Sequence, residues 1–443
     1  MGAQLAQMGM GVADTVMAGR YGSEDLAGVA LGSSILWPTM ILFMGVIQAV
    51  TPTVSQLNGS RSYSEIGEVI RQGIWMALFG GAAIFFILNN IGPVYELMRV
   101  DPTAVAIALP YLSMASYGLP ALMVFFCLRF LSDGMGYTRP ALIISVTALA
   151  IKIPLNYVLI YGKFGLPELG GVGCGVAQAI VMWLQLFLIL IVVSRERFAP
   201  TNWKSHFSLP QWKHIKPLLI VGLPIGATVF AEMGLFSFTT LMLGQFGSSV
   251  VASHNIAMSM NAIFYMPPMA LGMAATIRIG FRIGAGETEG AKTTARIAFL
   301  ATSFLAIVGA MLIFLLREEL VSLYTTEEVV RDLSRSLLLF VVFFLYFDAT
   351  QATFLGTLRG YKDTKVPMFI ALISYWLVAF PIQMILGFGW LAEPMGIYGF
   401  WIGLASGVGC ASICLGVRLI IVSNNKELID RLSIAAAEKK KSP

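Results

Sequence analysis

Three carboxylates and one ammonium group stand well inside long apolar runs of this 443-residue chain: Asp14, Glu232, Asp348 and Lys152. A charged side chain at membrane depth costs from about 3 to more than 10 kcal/mol, so it faces a cavity and commonly serves transport. Glu232 and Asp348 fall in the second half of the chain, Asp14 and Lys152 in the first. Two carboxylates in one half suit a small cation or a proton, with Asp14 as a third candidate. Counted along their helices, Lys152 and Asp14 stand at depths within about 5 Å of each other, so an ion pair is allowed. The alternative is a lysine that snorkels without a partner. If the pair forms, Asp14 is held ionised and is a poor proton carrier.

Neutral polar residues form a second tier. Asn156, two positions after Pro154, and Gln7 are candidates to support the first-half site. Tyr346 and Gln351 flank Asp348 on span ten, and Asn255 and Asn261 lie on span eight; these four are candidates to line a substrate cleft. Amides at this depth also serve simply to tie helices together.

These residues need long helices to carry them, and the composition supplies them. Hydrophobic residues make up 57% of the chain and charged residues only 12%. A soluble domain carries about a quarter charged residues. The fold class expected is all-α integral membrane, with twelve transmembrane helices. Apolar runs divided by Gly, Pro and charge place them at 3–20, 29–56, 70–92, 104–131, 139–161, 171–194, 216–243, 249–279, 293–316, 333–356, 366–388 and 396–422. Prolines 38, 120, 154, 224, 267, 268 and 381 interrupt them. The first span is short for a membrane crossing, which leads us to expect a natural start some ten or more residues earlier.

The chain is also duplicated. Subtracting 225 carries Glu232-Met233-Gly234, Thr240, Met242, Gly244 and Phe246-Gly247-Ser248 onto Gln7-Met8-Gly9, Thr15, Met17, Gly19 and Tyr21-Gly22-Ser23. The same offset carries Glu393, Gly396 and Ile397 onto Glu168, Gly171 and Val172. A fixed offset of half the length predicts two six-helix lobes related by an internal pseudo-twofold axis. The expected divisions are an N-terminal lobe at 1–194, a cytoplasmic linker at 195–215, a C-terminal lobe at 216–422 and an exposed cytoplasmic tail at 423–443. Lys and Arg concentrate on the side of the termini, which predicts both ends in the cytoplasm.

Several function classes fall away. No HExxH, no GxSxG with partners and no Walker A occurs, so neither an enzyme nor a direct ATP user is expected, and no cofactor. Gly280–Gly286 is glycine-rich but follows a membrane helix rather than a strand. The four cysteines lie in apolar runs without metal-ligand spacing. A net charge of +5 needs no nucleic-acid partner. An ion gradient remains as the energy source.

The segments GMGVADTVMAGRYG (9–22), VSQLNG (54–59), IPLNYVLIYGKFGLPELGGVGCGVA (153–177), LRGYKD (358–363) and EPMGIYGFWIG (393–403) resemble the multidrug and toxic compound extrusion (MATE) transporters, nearest the bacterial NorM type. The resemblance implies two six-helix lobes around a central cleft. It implies a monomeric antiporter that exports organic cations, dyes and antimicrobials among them, in exchange for Na+ or H+ moving inward. The acids of that branch fall on Asp14, Glu232 and Asp348, with Na+ at Glu232 and Asp348 as the first expectation. Two residues depart from the pattern: Lys152 stands where asparagine is usual, and Phe344 where a tyrosine is usual. Tyr346 is the candidate to replace that missing phenol. The nearest alternative is a lipid-linked oligosaccharide flippase of the same superfamily, whose cavity would need an excess of buried Arg and Lys.

Overall fold

A computed structural model describes residues 2–97, 101–390 and 393–433. Among the described residues the regular structure is helical throughout. In the first half run α1 (Gly2–Tyr21), α2 (Ser23–Ile47), α3 (Val50–Gly59), α4 (Tyr63–Asn89), α5 (Gly92–Leu97), α6 (Pro102–Ser116), α7 (Leu119–Gly134), α8 (Arg139–Ile160) and α9 (Val172–Val193). In the second half run α10 (Trp212–Leu243), α11 (Ser248–Gly284), α12 (Thr288–Ser322), α13 (Glu328–Gly360), α14 (Lys365–Leu372), α15 (Phe380–Phe388), α16 (Ile397–Asn424) and α17 (Lys426–Leu432). A π-helical stretch, Ile373–Ala379, joins α14 to α15.

These helices make the twelve expected spans, six in each half. Ten are long and apolar enough to cross a membrane on their own, and the bent pair α6–α7 makes an eleventh. The twelfth is α1, whose 20 residues include Gln4, Gln7, Asp14 and Arg20 and are correspondingly less apolar. Spans seven to ten run to 32–37 residues, longer than their apolar cores, because polar turns continue the helix beyond each end.

Proline explains the breaks. Pro120 stands in the first turn of α7, where a missing N–H is harmless, after a 49° bend from α6. Between α2 and α3 the cause is Pro52, which cannot donate to the Gln48 carbonyl four residues back. That carbonyl accepts from the Thr51 amide at 3.1 Å instead. Pro38, Pro154, Pro224, Pro267 and Pro268 lie within continuous helices.

Two compact units emerge, Met1–Gly226 and Ala227–Pro443. The division falls inside α10 rather than at the polar linker, and small residues explain it. A Cβ on Gly222 would lie 2.1 Å from the Val46 carbonyl oxygen, and one on Gly45 would lie 2.7 Å from the Gly226 Cα. The first half of α10 is therefore packed backbone to backbone on α2 and belongs with the first unit. The linker is docked there as well. Trp75 donates its indole N–H to the Ser208 carbonyl at 2.9 Å, and Gln72 donates to the Leu209 carbonyl at 3.0 Å.

The stretch after Val422 differs from the exposed tail expected of it. Asn425 caps α17 by accepting from the Leu428 amide at 3.0 Å. Ile429, 3% exposed, packs with Leu415, Leu419 and Val422 of α16. One apolar residue every helical turn suffices to dock so short a helix. The lysines 439–441 lie outside the described residues.

Candidate functional site

Each unit gathers one polar cluster from the residues singled out by burial cost. In the second unit the cluster is built on α10, α11, α13 and the π-helical stretch. Asp348 and Gln351 are three apart on α13 and share a face. Asn261 of α11 donates Nδ2–H to Asp348 Oδ2 at 2.9 Å. Gln351 donates to Glu232 Oε1 at 3.2 Å and also to the Tyr375 hydroxyl. Tyr375 is itself hydrogen-bonded to Glu232, and the two carboxylates are close enough to repel each other. Asp348 is 4% exposed; Glu232 is half-buried.

Two buried oxygens in this cluster have no hydrogen-bond partner, Asn261 Oδ1 and Gln351 Oε1. An orphaned buried acceptor is costly unless something positive completes it. Among the described residues no group of three or more His, Cys, Asp or Glu side chains is arranged for a metal ion. The donor set is instead two carboxylates with neutral amide oxygens, the hard oxygen chemistry that alkali and other hard cations accept. Arg359, two turns beyond Gln351 on α13, acts electrostatically on Glu232. With both carboxylates ionised, the single guanidinium would leave one surplus negative charge, the charge that one monovalent cation carries.

The first-unit cluster joins α1, α8 and α9. Lys152 Nζ lies 2.7 Å from Asp14 Oδ2, and Asn156 Nδ2 donates to Asp14 Oδ1 at 2.7 Å. Lys152 also donates to Gln178 Oε1. Lys152 and Asn156 are one turn apart on α8, so both reach across to α1 from one face. The pair that depth alone allowed is thus formed, and Lys152 does not snorkel.

Other expected residues lie elsewhere. Tyr346 cannot replace the missing phenol at the second-unit acids. Two residues from Asp348, it points to the opposite side of α13, and its hydroxyl meets Ser303 of α12 at 3.5 Å. Asn255 is exposed and outside the cluster. Gln7 is half-buried two turns before Asp14 on α1, about 10 Å along the axis. Phe344 is fully buried and packs edge-on against Phe236 and Trp401.

Four residues of these clusters escaped the sequence reading. Gln178 and Tyr375 are polar positions in strongly apolar spans, and that contrast was a usable signal. Tyr265, one turn after Asn261, interacts electrostatically with both Glu232 and Asp348. Arg359 falls so near the end of its apolar run that sequence alone assigns it to a loop.

Comparison with known proteins agrees with this architecture. The MatE family model matches residues 1–158 and again 224–385. The second match begins 223 residues after the first, close to the internal offset. A probable multidrug resistance protein NorM of Idiomarina loihiensis is 38% identical over 96% of this chain and 92% of its own. Multidrug resistance protein PmpM of Pseudomonas aeruginosa is 40% identical over 94% of this chain and 88% of its own. The crystal structure of the eukaryotic MATE transporter AtDTX14 superposes with a TM-score of 0.87 at 22% identity, covering 98% of this chain and 95% of that one. With the family model met twice and curated relatives aligned almost end to end, the chain belongs to the MatE family.

Proposed function

We propose that the chain is a secondary-active efflux antiporter that exports small organic cations in exchange for inward Na+, with H+ as the alternative coupling ion. The observation that carries this reading is the second-unit cluster: paired Glu232 and Asp348 beside the orphaned oxygens of Asn261 and Gln351. A monovalent cation bound there satisfies all four groups and cancels the surplus charge. The drug cation competes for the same negative charge or for the conformation that displays it. Ion binding on one side of the membrane then favours drug release there, as linkage requires. On this reading the protein works in a bacterial inner membrane, as its bacterial relatives suggest, with both termini cytoplasmic, which the Lys and Arg distribution supports. It is expected to work as a monomer and without a cofactor.

The names of the relatives support export of many compounds, since they are called multidrug resistance proteins. The flippase reading has less support. Across the two clusters three carboxylates face two cations, the reverse of what a pyrophosphate group would need.

The test is ethidium efflux from proteoliposomes under an imposed Na+ gradient and then a pH gradient, for wild type and Asp348→Asn. Na+-driven efflux that disappears in the variant is the expected result. Undiminished gradient-driven efflux in Asp348→Asn contradicts the proposal.

A further inference from the structure

The two clusters differ in their charge balance, and the difference traces to one residue. In the first unit Asp14 stands on the wall of a cavity of about 370 Å³, opposite Ser33 and Trp37 and beside Met8, Val12 and Val16. Lys152 is 1% exposed and is not part of that wall. It sits behind the carboxylate, with its ammonium 2.7 Å from Oδ2. Both carboxylate oxygens are already engaged, one by Lys152 and one by Asn156. A ligand in the cavity therefore meets a net-neutral pair. The ammonium 2.7 Å from Oδ2 offsets much of the carboxylate's attraction for a cation in the cavity. The remaining recognition is apolar and aromatic, from Trp37, Met8, Val12 and Val16. The polar handles are Thr15, whose hydroxyl donates to the Gly11 carbonyl at 3.1 Å, and Ser33, whose hydroxyl shares a hydrogen bond with Tyr111 at 3.2 Å.

We propose that Lys152 determines the charge selectivity of this first-unit cavity, making it a site for flat, apolar ligands without net charge rather than for cations. The cavity then extends what the carrier takes beyond the organic cations attracted by the second-unit carboxylates. This inference rests on the transporter reading for the sense of the ligand, but not on any coupling ion.

Equilibrium binding without a gradient tests it, on the purified full chain in nanodiscs. The probes are acridine and its permanently charged analogue N-methylacridinium, compared at mildly alkaline pH, where acridine is uncharged. Lys152→Asn leaves the Asp14 carboxylate uncompensated, and the cation-over-neutral preference is expected to rise by about tenfold. Asp14→Asn with Lys152→Asn restores neutrality and should return the preference to within about twofold of wild type. Asp14→Asn alone leaves a bare ammonium and should shift preference towards acridine. A lysine that merely ties helices together changes affinity for both probes alike, and an unchanged preference in Lys152→Asn overturns the proposal. Should that variant not fold, the step from Asp14→Asn to the double variant decides: cation preference must rise, and no rise also overturns it. Loss of ion-driven efflux in Glu232 or Asp348 variants would leave this binding series untouched, so the two readings fail separately.

Discussion

Asn261 and Asp348, on two helices separated in sequence by the whole of α12, meet through a 2.9 Å hydrogen bond at the heart of the second-unit cluster. The amide spends its N–H on one carboxylate oxygen and keeps its own oxygen free. It therefore orients Asp348 and offers a ligand at once. Asn261→Ala removes a hydrogen bond to a charged group, worth about 1.5–3 kcal/mol. The concentration of Na+ giving half-maximal efflux is expected to rise by roughly tenfold or more, read from efflux rates across a Na+ series.

Gln351 predicts a separation of ion and drug effects. Gln351→Met keeps the length of the side chain and removes both its contacts to Glu232 and Tyr375 and its free oxygen. Apparent Na+ affinity is expected to fall by about tenfold, the loss of one charged hydrogen bond. Ethidium binding without a gradient should stay within about twofold of wild type. Parallel losses in both would show that the amide holds the drug rather than the ion.

The first-unit ion pair makes a prediction about stability. Removing one member of a buried pair strands the other charge, at a cost of about 3–5 kcal/mol. Asp14→Asn and Lys152→Asn are each expected to lower the Tm of the purified protein by several degrees. The double variant should lose less than either single one, and a strictly additive loss would rule out an energetic coupling between the two.

Close helix packing beneath the second cluster predicts a steric effect. A Cβ on Gly356 would lie 2.2 Å from the Gly272 carbonyl oxygen, and backbone cannot swing aside as a side chain can. Gly356→Ala is expected to cost about 1–3 kcal/mol and to lower Tm. Gly11→Ala, where nothing lies within 4 Å, should leave Tm unchanged or slightly raised.

How far the sequence reaches is clear from particular residues. The expense of an ionised group in an apolar run marked Asp14, Lys152, Glu232 and Asp348, because that cost is local and depends on no partner. The Lys152–Asp14 contact followed from depth along two helices, yet depth alone left the side-chain direction open. Direction is where Tyr346 and Asn255 went astray: two positions from Asp348, and six from Asn261, each fall on another face of the helix, however near in sequence. Tyr375 was hidden for another reason. It comes from a different span and lies in a local departure from α geometry that a proline alone does not specify, since Pro38, Pro154 and Pro224 sit within continuous α-helices.

That departure, the π-helical stretch from Ile373 to Ala379, has a cause and a consequence. Pro381 cannot donate to the Leu377 carbonyl, and the turns before it widen to i→i+5 bonding. A widened turn carries a surplus residue, and returning it to α geometry would rotate the flanking side chains by about 100° relative to each other. Span eleven thus contains a swivel. A one-residue shift of register there would turn the Tyr375 hydroxyl towards or away from Glu232 by rotating one flank of the span against the other.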